Sequence, residues 1–182
     1  PFKMSKRGGD FISVEDLLKE VNKDSIRFMM LNRSNDVELD FDFEKIKEKT
    51  KDNPVFYVQY AYARINSIIR SLNKNLNDKI LINSEIFSLN EYEEKILRKV
   101  FEWPKVIESA AFKLEPHKIP FYLYDLSTLF HSYWSKGNED SNYRFIDNGK
   151  IRKQETLVFI FLIATVIRNG MRILGVSLPE KM

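Results

Sequence analysis

The sequence predicts an all-α protein in which a small helical segment precedes a bundle of longer helices. Apolar residues recur mostly at steps of three and four, the spacing of one face of a helix. Only six prolines and six glycines interrupt the 182 residues, which leaves room for long helices between them. Capping residues and prolines also stand in front of several apolar stretches, where helices begin.

Two short helices are predicted near the start of the chain. Ser13 can cap a helix that continues to Val21, with Asp16 as the second residue of a capping-box variant. Asp24 can cap a second helix. The alternating residues 39–43 predict a short extended segment before the bundle.

A long helix follows Asn53-Pro54, a capping residue with proline at the first helical position. One face of this helix is apolar over roughly six turns. The residues of that face are Val55, Val58, Tyr62, Ile65, Ile69, Leu72 and Leu76. The next residues, 77–86, predict a loop.

The following helices are bounded by a capping box and by prolines. Ser88 and Glu91 form the box that predicts the start of one helix, and Pro104 ends or kinks it. A short helix is then predicted over residues 105–114.

The last two helices flank a polar loop. A helix that opens at Pro116 and Pro120 is predicted to end at Gly137. Residues 138–149 form the predicted loop, and the final helix is predicted over about residues 150–174.

The final helix contains the most apolar stretch of the chain, Leu157 to Ile167. Eleven residues are too few to cross a bilayer, which takes about 20, so this stretch predicts a buried helix and no membrane association. Gly175 can stop the helix.

The composition excludes several kinds of site. The chain has no cysteine, which rules out disulfides and thiolate metal sites. Its two histidines, His117 and His131, lie too far apart for a metal pair on one helix face, so no metal site is predicted. The net charge of +3 suits an anionic partner without requiring one.

Tyrosines and one arginine lie beside the apolar face of the long helix. Tyr57 and Tyr60 share a face and Arg64 follows one turn later, whereas Tyr62 belongs to the core face. Rings and a guanidinium in this order suit stacking on unpaired bases, but they also suit partial burial against a neighbouring helix. The spacing alone leaves both interpretations open.

The chain opens with a basic run, KMSKR at residues 3–7, followed by two glycines. Lysines, a serine hydroxyl and a closely approaching glycine backbone can surround a polyphosphate. A solvated basic terminus accounts for the same residues. Because the first residue is Pro1 and not methionine, we expect a piece of a longer protein.

Four stretches together resemble one family. KMSKR resembles the second signature loop of class I aminoacyl-tRNA synthetases, usually KMSKS. NPVFYVQYAYARI, residues 53–65, resembles the helix that opens the anticodon-binding domain of arginyl-tRNA synthetases. The final LGVSLPEKM resembles that family's ending, and DSIRF, residues 24–28, resembles an Asp-x-x-Arg helix of the class.

The resemblance implies an ATP-binding loop at the start of the chain. Lys3 and Lys6 would be catalytic, because preorganised cations stabilise the phosphates of ATP with Mg²⁺ during adenylation. Met4 and Ser5 would shape the same ATP-binding loop, and Arg7 departs from the usual serine. The HIGH signature and the nucleotide-binding sheet of the class are absent, so we expect this chain alone to be inactive.

The resemblance also implies that the chain consists of two structural parts. Residues 1–52 would form the KMSKS-like loop and a helical junction that contacts the tRNA stem, and residues 53–182 the α-helical anticodon-binding domain. The residues implied to contact tRNA are Tyr57, Tyr60, Arg64, His131, Tyr133, Trp134 and Met182. Trp134 stands where the family commonly has tyrosine. Its indole keeps a face for stacking but lacks the hydroxyl of tyrosine.

The resemblance implies that the whole protein is a cytoplasmic ligase that joins L-arginine to tRNA(Arg), and we expect a monomer. Two alternatives remain at this stage. One is a helical protein-interaction module with an unrelated basic start. The other is the corresponding part of another class I synthetase, such as the cysteine enzyme.

Overall fold

The structure is a computed structural model that describes residues 13–37, 43–76, 78 and 88–182. It is all-α as predicted, apart from one small β-hairpin in the described part. The helices are α1 (Val14–Glu20), α2 (Lys23–Leu31), α3 (Phe43–Lys47), α4 (Pro54–Ser71), α5 (Glu91–Phe101), α6 (Trp103–Phe112), α7 (Lys118–Glu139) and α8 (Gln154–Leu174). A 3₁₀ turn (Ser141–Tyr143) and the strands β1 (Ile146–Asp147) and β2 (Lys150–Ile151) lie between α7 and α8.

Two predicted segments fall largely outside the described residues. They are the extended segment 39–43, of which only the last residue is described, at the start of α3, and the loop 77–86, of which only residue 78 is described.

Side chains cap the first two helices where the backbone amides need acceptors. Ser13 caps α1 as predicted, and its hydroxyl accepts from the Asp16 amide at 3.1 Å. The prediction that Asp24 caps α2 is wrong, because Asn22 does so and accepts from the Ser25 amide at 2.8 Å. Asp24 therefore lies in the first turn of α2, where a carboxylate is favourable.

α4 begins at Pro54 behind the N-cap Asn53, as predicted. Asn53 is buried, and its side-chain oxygen accepts from the Phe56 amide at 3.3 Å. Its side-chain nitrogen donates to the carbonyls of Ile46 and Glu48 at 2.7 and 2.9 Å. One side chain thus starts α4 and closes the turn that follows α3.

α5 starts later than predicted. Asn90, not Ser88, caps it, and the partner in the capping box is Glu93 instead of Glu91. The side-chain oxygen of Asn90 accepts from the Glu93 amide at 3.0 Å, and the Glu93 carboxylate accepts from the Asn90 amide at 2.9 Å. Glu93 is fully buried and also accepts from the Tyr133 hydroxyl at 2.9 Å, so its burial fixes the start of the helix.

One predicted helix end holds and another is wrong. α5 ends at Phe101, ahead of Pro104, which instead stands in the first turn of α6. α7 continues through Gly137, where it was predicted to stop. A Cβ at Gly137 would lie 3.0 Å from the carbonyl oxygen of Tyr143, so this glycine lets the 3₁₀ turn pack closely against α7.

The predicted loop 138–149 contains the 3₁₀ turn and the first strand of the hairpin. β1 and β2 pair antiparallel across Asn148 and Gly149, whose φ angles of 49° and 75° are those of a tight hairpin turn. Because β2 occupies residues 150 and 151, α8 begins after the predicted residue 150.

α8 packs against α2, α4, α5 and α7. It ends at Gly175, whose φ of 67° makes it the predicted left-handed stop. The stretch Glu155–Leu174 has the length and composition of a helix that could cross a membrane. The stretch Leu157 to Ile167, from which the sequence prediction was made, is too short to do so. However, 61% of the most apolar part of Glu155–Leu174 is buried inside the fold, so its place in the core accounts for its apolar composition.

Two apolar clusters hold the described residues together. The main core is formed by helices α4, α5, α6, α7 and α8 together with Phe28 of α2. Its fully buried members include Ile65, Ile69, Leu123, Leu126, Phe130, Ile160, Ile163 and Ile167. A smaller N-terminal cluster consists of Val21, Ile26 and Ile46, with Leu17 and Met29 packed against it. α2 contributes to both clusters and therefore connects α1 and α3 to the bundle.

Candidate nucleic-acid interface

A groove opens between α4, the second half of α7 and the last residues of the chain. We call it the aromatic groove, and it is lined by Tyr60, Ala63, Arg64, Ser67, Ile68, Arg70, Ser71, Trp134, Ile146, Lys181 and Met182. Three of these side chains are cationic and none is acidic. Two aromatic rings beside several positive charges suit a single-stranded nucleic acid.

Tyr60 of α4 and Trp134 of α7 flank the guanidinium of Arg64. The Cζ atom of Arg64 lies 4.4 Å from the ring centroid of Tyr60 and 4.8 Å from that of Trp134. Arg64 Nη2 also donates a hydrogen bond to the Tyr60 hydroxyl. All three side chains are half-buried, so ring contacts hold the positive charge in place while part of each group faces solvent.

His131 supports these rings from the protein side. Its ring centroid lies 4.3 Å from that of Tyr57 and 5.6 Å from that of Tyr60. Because a carbonyl oxygen only accepts, His131 Nε2–H donates to the Tyr57 carbonyl at 3.2 Å. Burial lowers the pKa of His131 to about 4, so the imidazole is neutral near pH 7 and orients the tyrosines without adding charge.

Tyr57 faces a separate depression from the aromatic groove. It lies there with Tyr92, His131 and Lys136, and its ring centroid is 5.2 Å from that of Tyr124. Burial raises the pKa of Tyr57. Tyr57 and Tyr60 both contact His131, yet they present their surfaces to different sides of α7.

Tyr133 faces the interior of the bundle. Its side chain is 3% exposed, and its hydroxyl donates to Glu93 and accepts from the Asn90 side chain, both at 2.9 Å. Burial raises the pKa of Tyr133. Successive helix residues differ by about 100°, which explains why Trp134 reaches the groove and its neighbour does not.

Residues 175–182, which follow α8 and which we call the C-terminal tail, form one wall of the aromatic groove. The Ser177 carbonyl accepts from Gln59 Nε2, and the Glu180 carbonyl accepts from Arg70 Nη1, each at 3.0 Å. These bonds lay the tail along α4, and Met182 at its end is 55% exposed in the groove. The structure therefore brings Met182 together with Tyr60, Arg64 and Trp134 in one groove.

Sequence reasoning did not select two cations of the groove, Arg70 and Lys181. Arg70 follows the pattern of Tyr57, Tyr60 and Arg64 on α4 and is not part of it. It belongs to the groove because the C-terminal tail returns to contact it. Lys181 is part of the C-terminal stretch that carried the resemblance, and that stretch is the one signal that could have identified it.

The ATP-binding residues that the resemblance implies, Lys3, Met4, Ser5 and Lys6, lie outside the described residues. Within the described ranges, no group of three or more histidines, aspartates or glutamates could hold a metal ion.

Comparisons with known proteins identify the family of this chain. A family model described as the DALR anticodon binding domain matches residues 58–182. The chain is 57% identical over its full length to an arginine–tRNA ligase of Pelagibacter ubique and 44% identical to one of Brucella canis. In both cases it covers 32% of the relative.

Solved structures show the same fold. A Campylobacter jejuni arginyl-tRNA synthetase matches the whole chain with a TM-score of 0.80 and 27% identity, over 38% of its own length. The Thermus thermophilus arginyl-tRNA synthetase matches 97% of the chain over 29% of its own, with a TM-score of 0.64 and 22% identity, which supports the fold alone. Since the family model spans more than half of the residues, including every part of the aromatic groove, the chain belongs to the DALR anticodon-binding domain family.

Proposed function

We propose that this chain is the anticodon-recognising part of an enzyme that ligates L-arginine to tRNA(Arg) with ATP. The chain spans about a third of the length of the curated relatives that it matches, so the activity of the whole protein is part of the proposal. The matched family supports anticodon binding, and the relatives' names support arginine. Neither a protein-interaction module nor a part of the cysteine enzyme has comparable support.

The observation that carries the proposal is the guanidinium of Arg64 between the rings of Tyr60 and Trp134. Unpaired bases stack on aromatic rings and on guanidinium planes, and both kinds of surface meet here. The hydrogen-bond donors of Arg64 can in addition bind a base edge or a phosphate.

We propose two roles for the residues implied by the resemblance. Tyr60, Arg64, Trp134 and Met182 line the aromatic groove and contact anticodon bases directly. The other three, Tyr57, His131 and Tyr133, do not line the groove and hold α4 and α7 in the arrangement that the groove requires.

We further propose that residues 1–52 form the loop and tRNA-stem junction and that residues 53–182 form the anticodon-binding domain. In the whole enzyme, Lys3 and Lys6 would place positive charge against the phosphates of ATP and its Mg²⁺, with Met4 and Ser5 in the same loop. This assignment rests on the KMSKR motif. We expect the enzyme to be a cytoplasmic monomer and this chain alone to be unable to aminoacylate.

A filter-binding competition between tRNA(Arg) and other tRNAs, repeated across salt concentrations, tests the proposal. We expect wild-type protein to prefer tRNA(Arg) and to bind more weakly as salt rises, since phosphate contacts release counterions. Tyr60→Ala and Trp134→Ala should each weaken cognate binding about tenfold, because one stacked base contributes about 1–3 kcal/mol.

Phe112→Ala is the matched control for these two variants. Phe112 is an aromatic residue of α6 with 89% exposure, and it does not line the aromatic groove, so its removal should leave binding unchanged. Groove variants that bind cognate and non-cognate tRNA as wild type does would refute the site. A wild-type protein without preference for tRNA(Arg) would refute the function.

A further inference from the structure

Two residues of the DSIRF stretch contact the start of the C-terminal tail. The Asp24 carboxylate accepts a hydrogen bond from the Ser177 hydroxyl. Arg27 Nε donates to the carbonyl of Leu174, the last residue of α8. The two contacts join residues that are 153 and 147 positions apart, so they hold the start of the tail and the end of α8 against α2.

The Arg27 contact suits the end of a helix. The Leu174 carbonyl is one of the last in α8, where carbonyls lack partners within the helix. A positive charge is also favourable at this end of the helix dipole. A Cβ at Gly175 would lie 2.7 Å from Arg27 Nε, so the glycine that turns the chain also leaves room for the arginine.

Contacts with α4 continue the path of the tail from α2 into the aromatic groove. Gln59 donates to the Ser177 carbonyl and Arg70 to the Glu180 carbonyl. The tail then ends with Lys181 and Met182 among the groove residues. The position of these two side chains therefore depends on anchors that begin at α2.

We propose that Asp24 and Arg27 are positioning residues for anticodon recognition, which hold Lys181 and Met182 in the aromatic groove by anchoring the C-terminal tail. The inference rests on the proposed function of the groove. Neither anchor lines the groove, so an effect of either anchor on binding within the groove passes through the tail. The anchors also connect the tail mechanically to the N-terminal helices.

The position of the tail can be tested without tRNA. The chain has no cysteine, so Lys181→Cys accepts a single fluorescent label. In this background the double variant Asp24→Ala/Arg27→Ala should lower the anisotropy of the label, because the tail moves more freely. Arg33→Ala/Asp36→Ala is the matched control, since it removes the same two charges from exposed positions just after α2. Equal anisotropy in the double variant and the control would overturn the anchoring.

The effect on recognition can be tested by a double-mutant cycle with tRNA(Arg). Removal of Lys181 and Met182 from the wild-type protein should weaken binding about tenfold, in the range of important interface side chains. In the Asp24→Ala/Arg27→Ala background the same removal should cost less than about threefold, because coupled changes are not additive. Full additivity would overturn the proposal.

Two further variants separate this inference from the proposed function. Ser177→Ala breaks the Asp24 contact from the exposed tail side, and it should reproduce part of the loss even if the α2 variant is less stable. If Tyr60→Ala weakens binding but neither the α2 variant nor Ser177→Ala does, the anchoring is wrong and the function stands. If Tyr60→Ala also has no effect, the function itself fails.

Discussion

His131 illustrates how one enclosed side chain can organise an exposed site. Its ring contacts Tyr57 and Tyr60, and its Nε2–H satisfies the Tyr57 carbonyl. An imidazole can do this while neutral, and burial favours the neutral form by lowering the pKa. His131 therefore orients the Tyr60 ring of the aromatic groove without adding charge. The positive charge of the groove comes from Arg64, Arg70 and Lys181.

We predict that His131 makes the protein less stable as the pH falls from about 6.5 to about 4. The unfolded chain binds a proton on this histidine near pH 6.5, whereas the folded protein does so only near pH 4, so acid favours unfolding in this interval. The loss should reach at most about 3.4 kcal/mol, because a shift from 6.5 to about 4 is about 2.5 pKa units at about 1.36 kcal/mol per unit. Urea unfolding at a series of pH values measures it.

His131→Phe should show a smaller pH dependence than the wild-type protein in this interval. Both proteins have the same carboxylates, so the comparison isolates His131. An unchanged slope in His131→Phe would contradict the prediction.

At the scale of elements, the ends of helices depend on polar side chains that are themselves part of the packing. Asn53 starts α4 and binds the carbonyls of Ile46 and Glu48. Asn90 starts α5 and also donates to Tyr133 of α7. Both asparagines act across elements, so each cap also fixes how a helix sits against its neighbour.

Asn53→Ala should destabilise the protein by about 1–3 kcal/mol, because it removes the cap and leaves two backbone carbonyls without their donor. Asn53→Asp keeps the acceptor for the Phe56 amide but places a carboxylate oxygen against the carbonyls of Ile46 and Glu48 in a buried site, so it should destabilise the protein at least as much as Asn53→Ala. Equilibrium urea unfolding of the two variants gives the values. A change below about 0.5 kcal/mol in Asn53→Ala would show that neither role matters, since that is the range of ordinary surface substitutions.

The faces of the helices could be predicted from the sequence more securely than their ends. Apolar spacing identified α4 and its core face, because burial of that face is a property of the whole helix. Asn22 and Asp24 are both favourable N-cap residues, so the local sequence does not show which of them begins α2. The packing of the helix selects Asn22. Gly137 was predicted to end α7 because glycine often follows the last residue of a helix. Its actual role, close packing against Tyr143, depends on residues that come after the helix.

The candidate site shows the same limit. Tyr60 and Arg64 could be paired from their spacing on α4, whereas their approach to Trp134 needs the packing of α4 against α7. Arg70 could not be found from the sequence at all, because it enters the groove only through the returning tail. The Asn148-Gly149 pair is typical of a hairpin turn, whereas the prediction for residues 138–149 was a loop without strands.

For the whole molecule, the division of the apolar residues into two clusters predicts unequal stability. Among the side chains that the structure describes, α1 has none that is buried, and α3 contributes Ile46 to the N-terminal cluster. By contrast, α4, α7 and α8 share the extensive main core. Local opening costs less free energy where few apolar side chains are buried.

We predict that the amides of α1 and α3 exchange with solvent deuterium well before those of α4, α7 and α8. Hydrogen exchange read out by mass spectrometry of peptides from each helix measures the order. Early exchange in peptides from α8 with protection of α1 would contradict the packing described above.

The location of Met182 inside the aromatic groove has a practical consequence for handling the protein. An affinity tag fused after residue 182 would start in the aromatic groove and would obstruct the surface proposed to bind RNA. Preparations with and without such a tag should therefore not be treated as equivalent in binding assays.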